Sequence, residues 1–274
     1  LRGREYAIGA MGALKTSRSA AMNREFSRYC ITGNFPFVVD LAKCRGMELA
    51  TVDGQRILDW AGYYGSKLLG HNHPGLTQKA YVRRLILAAN NKVPNPDFLT
   101  RECLEFYRMA FRTAPKSMGK SPELEVYAVN SGAEVVENMV KYLISRHNHR
   151  LGKTGRLSQR RFITFHNSFH GRTLFALSLT GVPNRSMTRD FHPLFHSALA
   201  LPFPAGVFSG MDPEAMRRHN ETAKDRALSR IENLVRRQGP ALAGLILEPI
   251  QGSGGHHVAP ESFFEELSGL SSRT

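Results

Sequence analysis

Ala128-Val-Asn-Ser-Gly-Ala-Glu-Val-Val-Glu-Asn-Met-Val-Lys-Tyr-Leu143 carries a strand end, a turn of small residues and a helix start in one run. The β-branched and aromatic residues of Val126-Tyr-Ala-Val129 read as a short buried strand. Asn130, Ser131 and Gly132 break it. From Glu134 onward Val135, Val136, Met139, Val140 and Leu143 recur at helical spacing. Free N–H groups at such a helix start point outward, and the helix dipole adds partial positive charge there. Gly132 and Ala133 carry almost no side chain, so a phosphate can approach the backbone. This stretch alone does not separate an anion site from a plain strand–helix connection without a ligand.

Working outward, Arg161-Phe-Ile-Thr-Phe165 reads as a strand that leads into His166-Asn-Ser-Phe-His-Gly-Arg-Thr173, and a helix begins over Leu174 to Leu179. The polar run Ser145 to Gly152 reads as the place where the preceding helix runs out. A loop rich in Pro, Phe and His follows Leu179, and Pro213 to Arg237 is largely helical. Ala241-Leu-Ala-Gly-Leu-Ile-Leu247 is wholly apolar, the pattern of a strand buried on both faces. It ends in Glu248-Pro-Ile-Gln-Gly-Ser-Gly-Gly255. Strands alternating with helices predict an α/β layered fold, and such folds bind ligands at the carboxyl ends of their strands. Loops 130–134, 166–173 and 248–255 all follow expected strands, which favours a shared site over three plain connections.

Upstream, residues 1–34 read as an irregular leader whose Arg, Ala and Ser content faintly resembles a transit peptide. Phe35 to Leu41 looks extended. Gly46 to Trp60 reads as a β-hairpin turning at Asp53-Gly54. His71 and His73 sit in a Gly/Pro turn with no third ligand nearby, so a structural role is expected and no metal site. Leu76 to Ala89 and Thr100 to Thr113 read as helices, with a break at Asn90 to Pro96.

The 274 residues and 42% hydrophobic content suffice for a sizeable core. Cys30, Cys44 and Cys103 are single and widely spaced, which fits a reducing, cytoplasmic setting without disulfides or zinc. No apolar run is long enough to span a membrane. The net charge of +14 comes from scattered basic pairs, not from a block. A basic nucleic-acid-binding protein is therefore the weakest of the function classes considered, although a positive field favours anionic substrates.

Asn130-Ser-Gly-Ala-Glu-x-x-Glu-Asn138, Phe169-His-Gly-Arg-Thr173 and Glu248-Pro-Ile-Gln-Gly-x-Gly-Gly255, in this order and spacing, resemble the class III aminotransferases. Leu69-Gly-His-Asn-His-Pro74 and Val52 to Asp59 match the N-terminal region of that family. Within it the chain is similar to the 4-aminobutyrate and L-lysine 6-aminotransferases; Asn91 to Asp97, Ser145 to Asn148 and Ser178 to Thr180 lean toward the lysine enzyme. The resemblance implies a type I pyridoxal-phosphate-dependent transferase fold with three layers and a mainly parallel sheet. Residues 35–95 would contribute to a small domain and 96–274 to an incomplete large, cofactor-binding domain. It also implies an ω-amino group moved to 2-oxoglutarate, amino acid and 2-oxo acid substrates, and a homodimer.

The same resemblance assigns roles. Backbone N–H groups of Gly132 and Ala133 would hold the phosphate of pyridoxal 5′-phosphate, and Phe169 would lie on its ring. Glu248 and Gln251 would stand beside the cofactor, and Arg172 would pair with a substrate carboxylate. His170 and Gly171 would shape the loop.

Two departures stand out. Ser253 occupies a position where the aminobutyrate and lysine enzymes usually have a glutamate, so substrate switching is not assured. No lysine follows Lys224, so the Schiff-base lysine of the family is missing and no catalytic residue is assigned. The expectation is an N-terminal portion of such an enzyme: a fragment, a truncated gene product or one part of a split protein, poorly soluble alone. The alternative is a non-catalytic truncated paralogue or a partner subunit of a full-length enzyme.

Overall fold

The computed structural model describes residues 17–30, 35–91, 98–116, 118, 124–152, 160–182 and 198–273. The chain divides into two compact units, Leu1–Val126 and Tyr127–Thr274.

The first unit holds α1 (Arg18–Phe26), β1 (Glu48–Ala50), β2 (Arg56–Leu58), a one-turn α2 (Gly62–Gly65), α3 (Lys79–Ala89) and α4 (Arg101–Thr113). Helix α1 corrects the expectation of an irregular leader over its residues: Ser17 caps it by accepting from the Ala20 N–H at 3.1 Å. The hairpin forms as expected. β1 and β2 pair antiparallel from Glu48↔Leu58 to Ala50↔Arg56, and Gly54 turns the chain at a φ of +84°. His71 Nε2 donates to the Asp59 carboxylate at 2.9 Å, and His73 caps a 3-10 turn at Pro74–Thr77. Helix α4 starts at Thr100, whose hydroxyl accepts from the Cys103 N–H. Most of the expected break at 90–96 lies outside the described residues.

The second unit holds α5 (Gly132–Leu151), β3 (Arg161–Phe165), α6 (Leu174–Leu179), β4 (Ala198–Leu201), α7 (Pro213–Gln238), β5 (Leu242–Leu245), β6 (Ile250–Gln251), β7 (His257–Val258) and α8 (Glu261–Arg273). Strands β4, β3 and β5 make a parallel sheet in that order, with β3 central. Alternation along β3 sends side chains to opposite faces. Ile163 and Phe165 pack with Ala227, Leu228 and Ile231 of α7 and Phe263 of α8. Phe162 packs with Val140 of α5 and with Phe175 and Leu179 of α6. Helices thus cover both faces of the sheet, giving three layers. Each fully buried phenylalanine contributes about 1.5–3 kcal/mol, and the rings of Phe162 and Phe175 meet edge to face at 5.9 Å.

Three local expectations need correction. Val126 to Val129 is extended but unpaired, and Tyr127 is exposed; no described strand lies beside it to form a ladder. Helix α5 does not run out at Ser145 but continues to Leu151. His147 turns inward and is buried, the Asn148 side chain accepts from Arg160 Nε at 3.1 Å, and Gly152 ends the helix in the left-handed region. The polar residues of that turn are thus either enlisted in packing or displayed on its outer face. Strand β5 is shorter than its apolar run and half-buried, because it forms one edge of the described sheet. Most of the Pro- and His-rich loop after Leu179 lies outside the described residues.

Candidate functional site

The first corner is the start of α5. Ser131, in an extended conformation, accepts from the Glu134 N–H at 3.3 Å, and Glu134 reaches back to accept from the Asn130 N–H at 2.7 Å. This reciprocal cap leaves the N–H groups of Gly132 and Ala133 without an acceptor among the described residues, as the first turn of any helix requires. A Cβ on Gly132 would meet nothing within 4 Å, so its outer side is open.

The second corner follows β3. Its backbone is fixed residue by residue. The Phe169 N–H donates to Glu248 Oε2 at 2.7 Å, and the His170 N–H donates to Thr180 Oγ1 at 3.0 Å. Gly171 has a φ of +134°, and a Cβ there would stand 2.8 Å from the Cβ of Ala133. Glycine is needed for both reasons, and the contact brings the second corner against the first. Arg172 follows, exposed. Phe169 is half-buried.

The third corner follows β5. Gln251 is wholly buried, and its Nε2 donates to the His166 carbonyl at 2.9 Å. A Cβ on Gly254 would stand 2.0 Å from the Asn167 carbonyl oxygen, so the two loops are in backbone contact. Ser253 beside it is exposed. The three loops that carry the expected site residues therefore meet: Ala133 touches the second loop at Gly171, Glu248 bonds it at Phe169, and Gln251 bonds it at His166, while Gly132 precedes Ala133 and Arg172 follows Gly171. The two described lysines of this unit lie elsewhere. Lys141 is on α5, and Lys224 bridges Glu221 and Glu266 between α7 and α8, each at 2.6 Å. A groove of about 370 Å³ beside that bridge, lined by Leu228, Glu232 and Leu270 among others, shares no residue with the three loops.

Electrostatics and burial leave specific vacancies in the hydrogen-bond pattern. Gln251 Oε1 and His170 Nε2 are buried with no partner among the described residues. Burial drives the His170 imidazole down to about 4, so it is neutral at physiological pH. Burial raises the Glu248 carboxyl above its ordinary value, against the opposing pull of the Phe169 and Gly252 N–H groups. A buried amide oxygen without a donor is costly unless something supplies one.

Residues 30–274 match the class III aminotransferase family (Aminotransferase class-III). The chain belongs to that family. As a class III aminotransferase chain it is 29% identical over 259 residues to the L-lysine-epsilon aminotransferase of Streptomyces clavuligerus, covering 91% of this chain and 53% of that protein. It is 28% identical to a probable mitochondrial gamma-aminobutyrate transaminase of Oryza sativa, covering 86% and 43%. A lysine aminotransferase of M. tuberculosis superposes with a TM-score of 0.76 at 26% identity, covering 94% of this chain and 57% of that one. A PMP-bound aminotransferase from Vibrio fluvialis shares the fold at 22% identity and a TM-score of 0.73. The chain thus spans about half the length of the relatives it matches. The expected type I fold is borne out.

The sequence of this aminotransferase chain does not reveal the part that Thr180 and Glu137 play in holding its loops. Thr180 receives the His170 N–H and lies 3.0 Å from the Ala176 carbonyl. Glu137 of α5 accepts from Thr173 Oγ1 and, at 3.1 Å, from the Ala176 N–H. Glu137 stood inside the first motif as a repeated acid, the one signal that could have marked it. Among the described residues no group of His, Cys, Asp and Glu is arranged to hold a metal, and no helix is long and apolar enough to cross a membrane.

Proposed function

We propose that the three corners hold pyridoxal 5′-phosphate and that the whole protein is an aminotransferase moving an ω-amino group, from a 4-aminobutyrate-like donor or the lysine side chain, to 2-oxoglutarate. One observation carries this reading: an open helix start at Gly132 and Ala133, the half-buried ring of Phe169 and a buried Gln251 Oε1 without a partner among the described residues all belong to loops in mutual contact. The residues fit the group. Two backbone N–H groups at a helix start suit a phosphate dianion. Phe169 supplies a stacking face for an aromatic ring, and Gln251 supplies a polar atom that lacks a partner. Arg172 supplies an exposed guanidinium with the geometry to pair a carboxylate.

When bound, the cofactor supplies the electron sink for chemistry at the amine-bearing carbon. The chain's own part is to seat the phosphate, fix the ring plane, exclude water from the Gln251 side and orient the substrate carboxylate. Relatives named for lysine and gamma-aminobutyrate support the donor class. Three unpaired cysteines support a reducing, cytoplasmic setting, and exposed Trp60, Tyr64, Leu68 and Leu69 support a homodimer.

Calorimetric titration with pyridoxal 5′-phosphate tests the reading. Gly132→Asp places a carboxylate at this helix start and is expected to weaken binding by on the order of a hundredfold, while Gln251→Leu weakens it by about tenfold. Equal affinity in wild type and Gly132→Asp overturns it.

A further inference from the structure

Glu137 lies in the second turn of α5, and its half-buried carboxylate serves another helix. Oε1 accepts from the Thr173 hydroxyl and from the Ala176 N–H. Thr173 occupies the N-cap position of α6, yet its own side chain makes no capping bond there. The acceptor that α6 needs comes from α5 instead. A carboxylate suits this place, because it bonds an N–H strongly and faces the positive end of the short helix.

These bonds bracket Arg172. On its N-terminal side Phe169, His170 and Gly171 are fixed by Glu248, Thr180 and the Ala133 contact. On its C-terminal side Thr173 is fixed by Glu137. The guanidinium itself makes no hydrogen bond or ion pair among the described residues. Among the described residues, the bonds on its two neighbours are what fix its place along the backbone.

We propose that Glu137 is a positioning residue: by tying the start of α6 to α5 it sets the Arg172 guanidinium relative to the anion cup of Gly132 and Ala133. The proposal rests on the reading of that cup as the phosphate seat and of Arg172 as the carboxylate partner. Helix α6 is packed already, with Phe175 through Leu179 buried. The carboxylate therefore adds orientation to a segment that burial alone holds down.

Two probes separate orientation from stability. Pyridoxamine 5′-phosphate carries the phosphate, the ring and an aminomethyl group but no carboxylate. Its reduced conjugate with 4-aminobutyrate, N-(5′-phosphopyridoxyl)-4-aminobutyrate, adds one carboxylate. Calorimetry on the full chain is expected to give the conjugate an advantage of on the order of tenfold. Glu137→Ala removes that advantage while the affinity for pyridoxamine 5′-phosphate stays within about threefold. Glu137→Gln, whose amide oxygen still accepts from both donors, keeps most of it. Arg172→Ala removes it too, and combining it with Glu137→Ala removes nothing further.

An undiminished advantage in Glu137→Ala, or an equal loss for both probes, overturns the proposal. Should that variant fail to fold, Thr173→Val deletes one donor alone, and its advantage must fall part-way; an unchanged one overturns the proposal. A wild-type chain that binds neither probe, or both alike, defeats the reading of the cup and Arg172, and the proposal with it.

Discussion

A Cβ placed on Gly254 would stand 2.0 Å from the Asn167 carbonyl oxygen and 2.7 Å from the Asn167 Cβ. Both atoms are close to the backbone of a packed loop and have nowhere to go. Gly254→Ala is expected to cost about 1–3 kcal/mol in urea unfolding and to weaken pyridoxal 5′-phosphate binding, because the loop carrying Gln251 must lift away. The buried His170 and the half-buried Glu248 act in opposite directions with pH. His170 has its folded value depressed to about 4 from 6.5, so the unfolded chain takes up its proton first. Its contribution is full above 6.5 and is lost as pH falls toward about 4, by at most ~3 kcal/mol. Glu248 has its folded value raised, so its contribution is present below the ordinary 4.5 and is lost as pH rises through the raised value. Urea midpoints measured across this range should lose their acid limb in His170→Gln and their upward-pH loss in Glu248→Gln. Residues of this kind were legible in the sequence where the constraint was local, as at the small-residue turn of Gly132 and Ala133 and the Gly-rich run Gly252 to Gly255. Glu137 and Thr180 were not, because their partners lie 36 to 39 and 4 to 10 residues away and only folding reveals them.

At the scale of elements, β3 is the piece on which the second unit is built. Phe165 has no exposed surface and meets Phe203 and Phe263 edge to face at 5.6 and 6.3 Å. Phe165→Ala is expected to lower stability by about 3–5 kcal/mol, read from thermal or urea unfolding, with no change in which ligands bind. Strand β3 and helices α6 and α7 were visible in the sequence because a periodic apolar pattern needs no knowledge of neighbours. The segment 126–129 shows the limit of that logic. Its β-branched residues fit a strand, yet strand formation requires a ladder partner, and propensity cannot supply one. The end of α5 failed for the complementary reason. Polar residues normally signal a helix terminus, but His147 is buried and Asn148 is bonded to Arg160, so tertiary contacts extended the helix past its sequence signal.

For the molecule as a whole, the distribution of apolar surface matters most. The second unit encloses its sheet on both faces. In the first unit Trp60, Tyr64, Leu68, Leu69, Phe98 and Leu99 are exposed, and α3 has no buried residue. Surfaces of that kind associate. Sedimentation velocity on the purified chain should therefore show a species larger than 30.6 kDa that grows with concentration, and replacing Leu68 and Leu69 with serine should shift it toward that mass. A net charge of +14 opposes association at low ionic strength, so added salt should enlarge the species.

The second corner leaves directly from the strand whose side chains are clamped between both helical layers, and each of its first amides is already spoken for. Such a mould is set before any guest arrives. Amides from His166 to His170 should be among the last to exchange with deuterated water, and occupancy should add little to their protection. Ligand capture would then proceed without a slow rearrangement phase, its free energy largely spared the toll of ordering a loop.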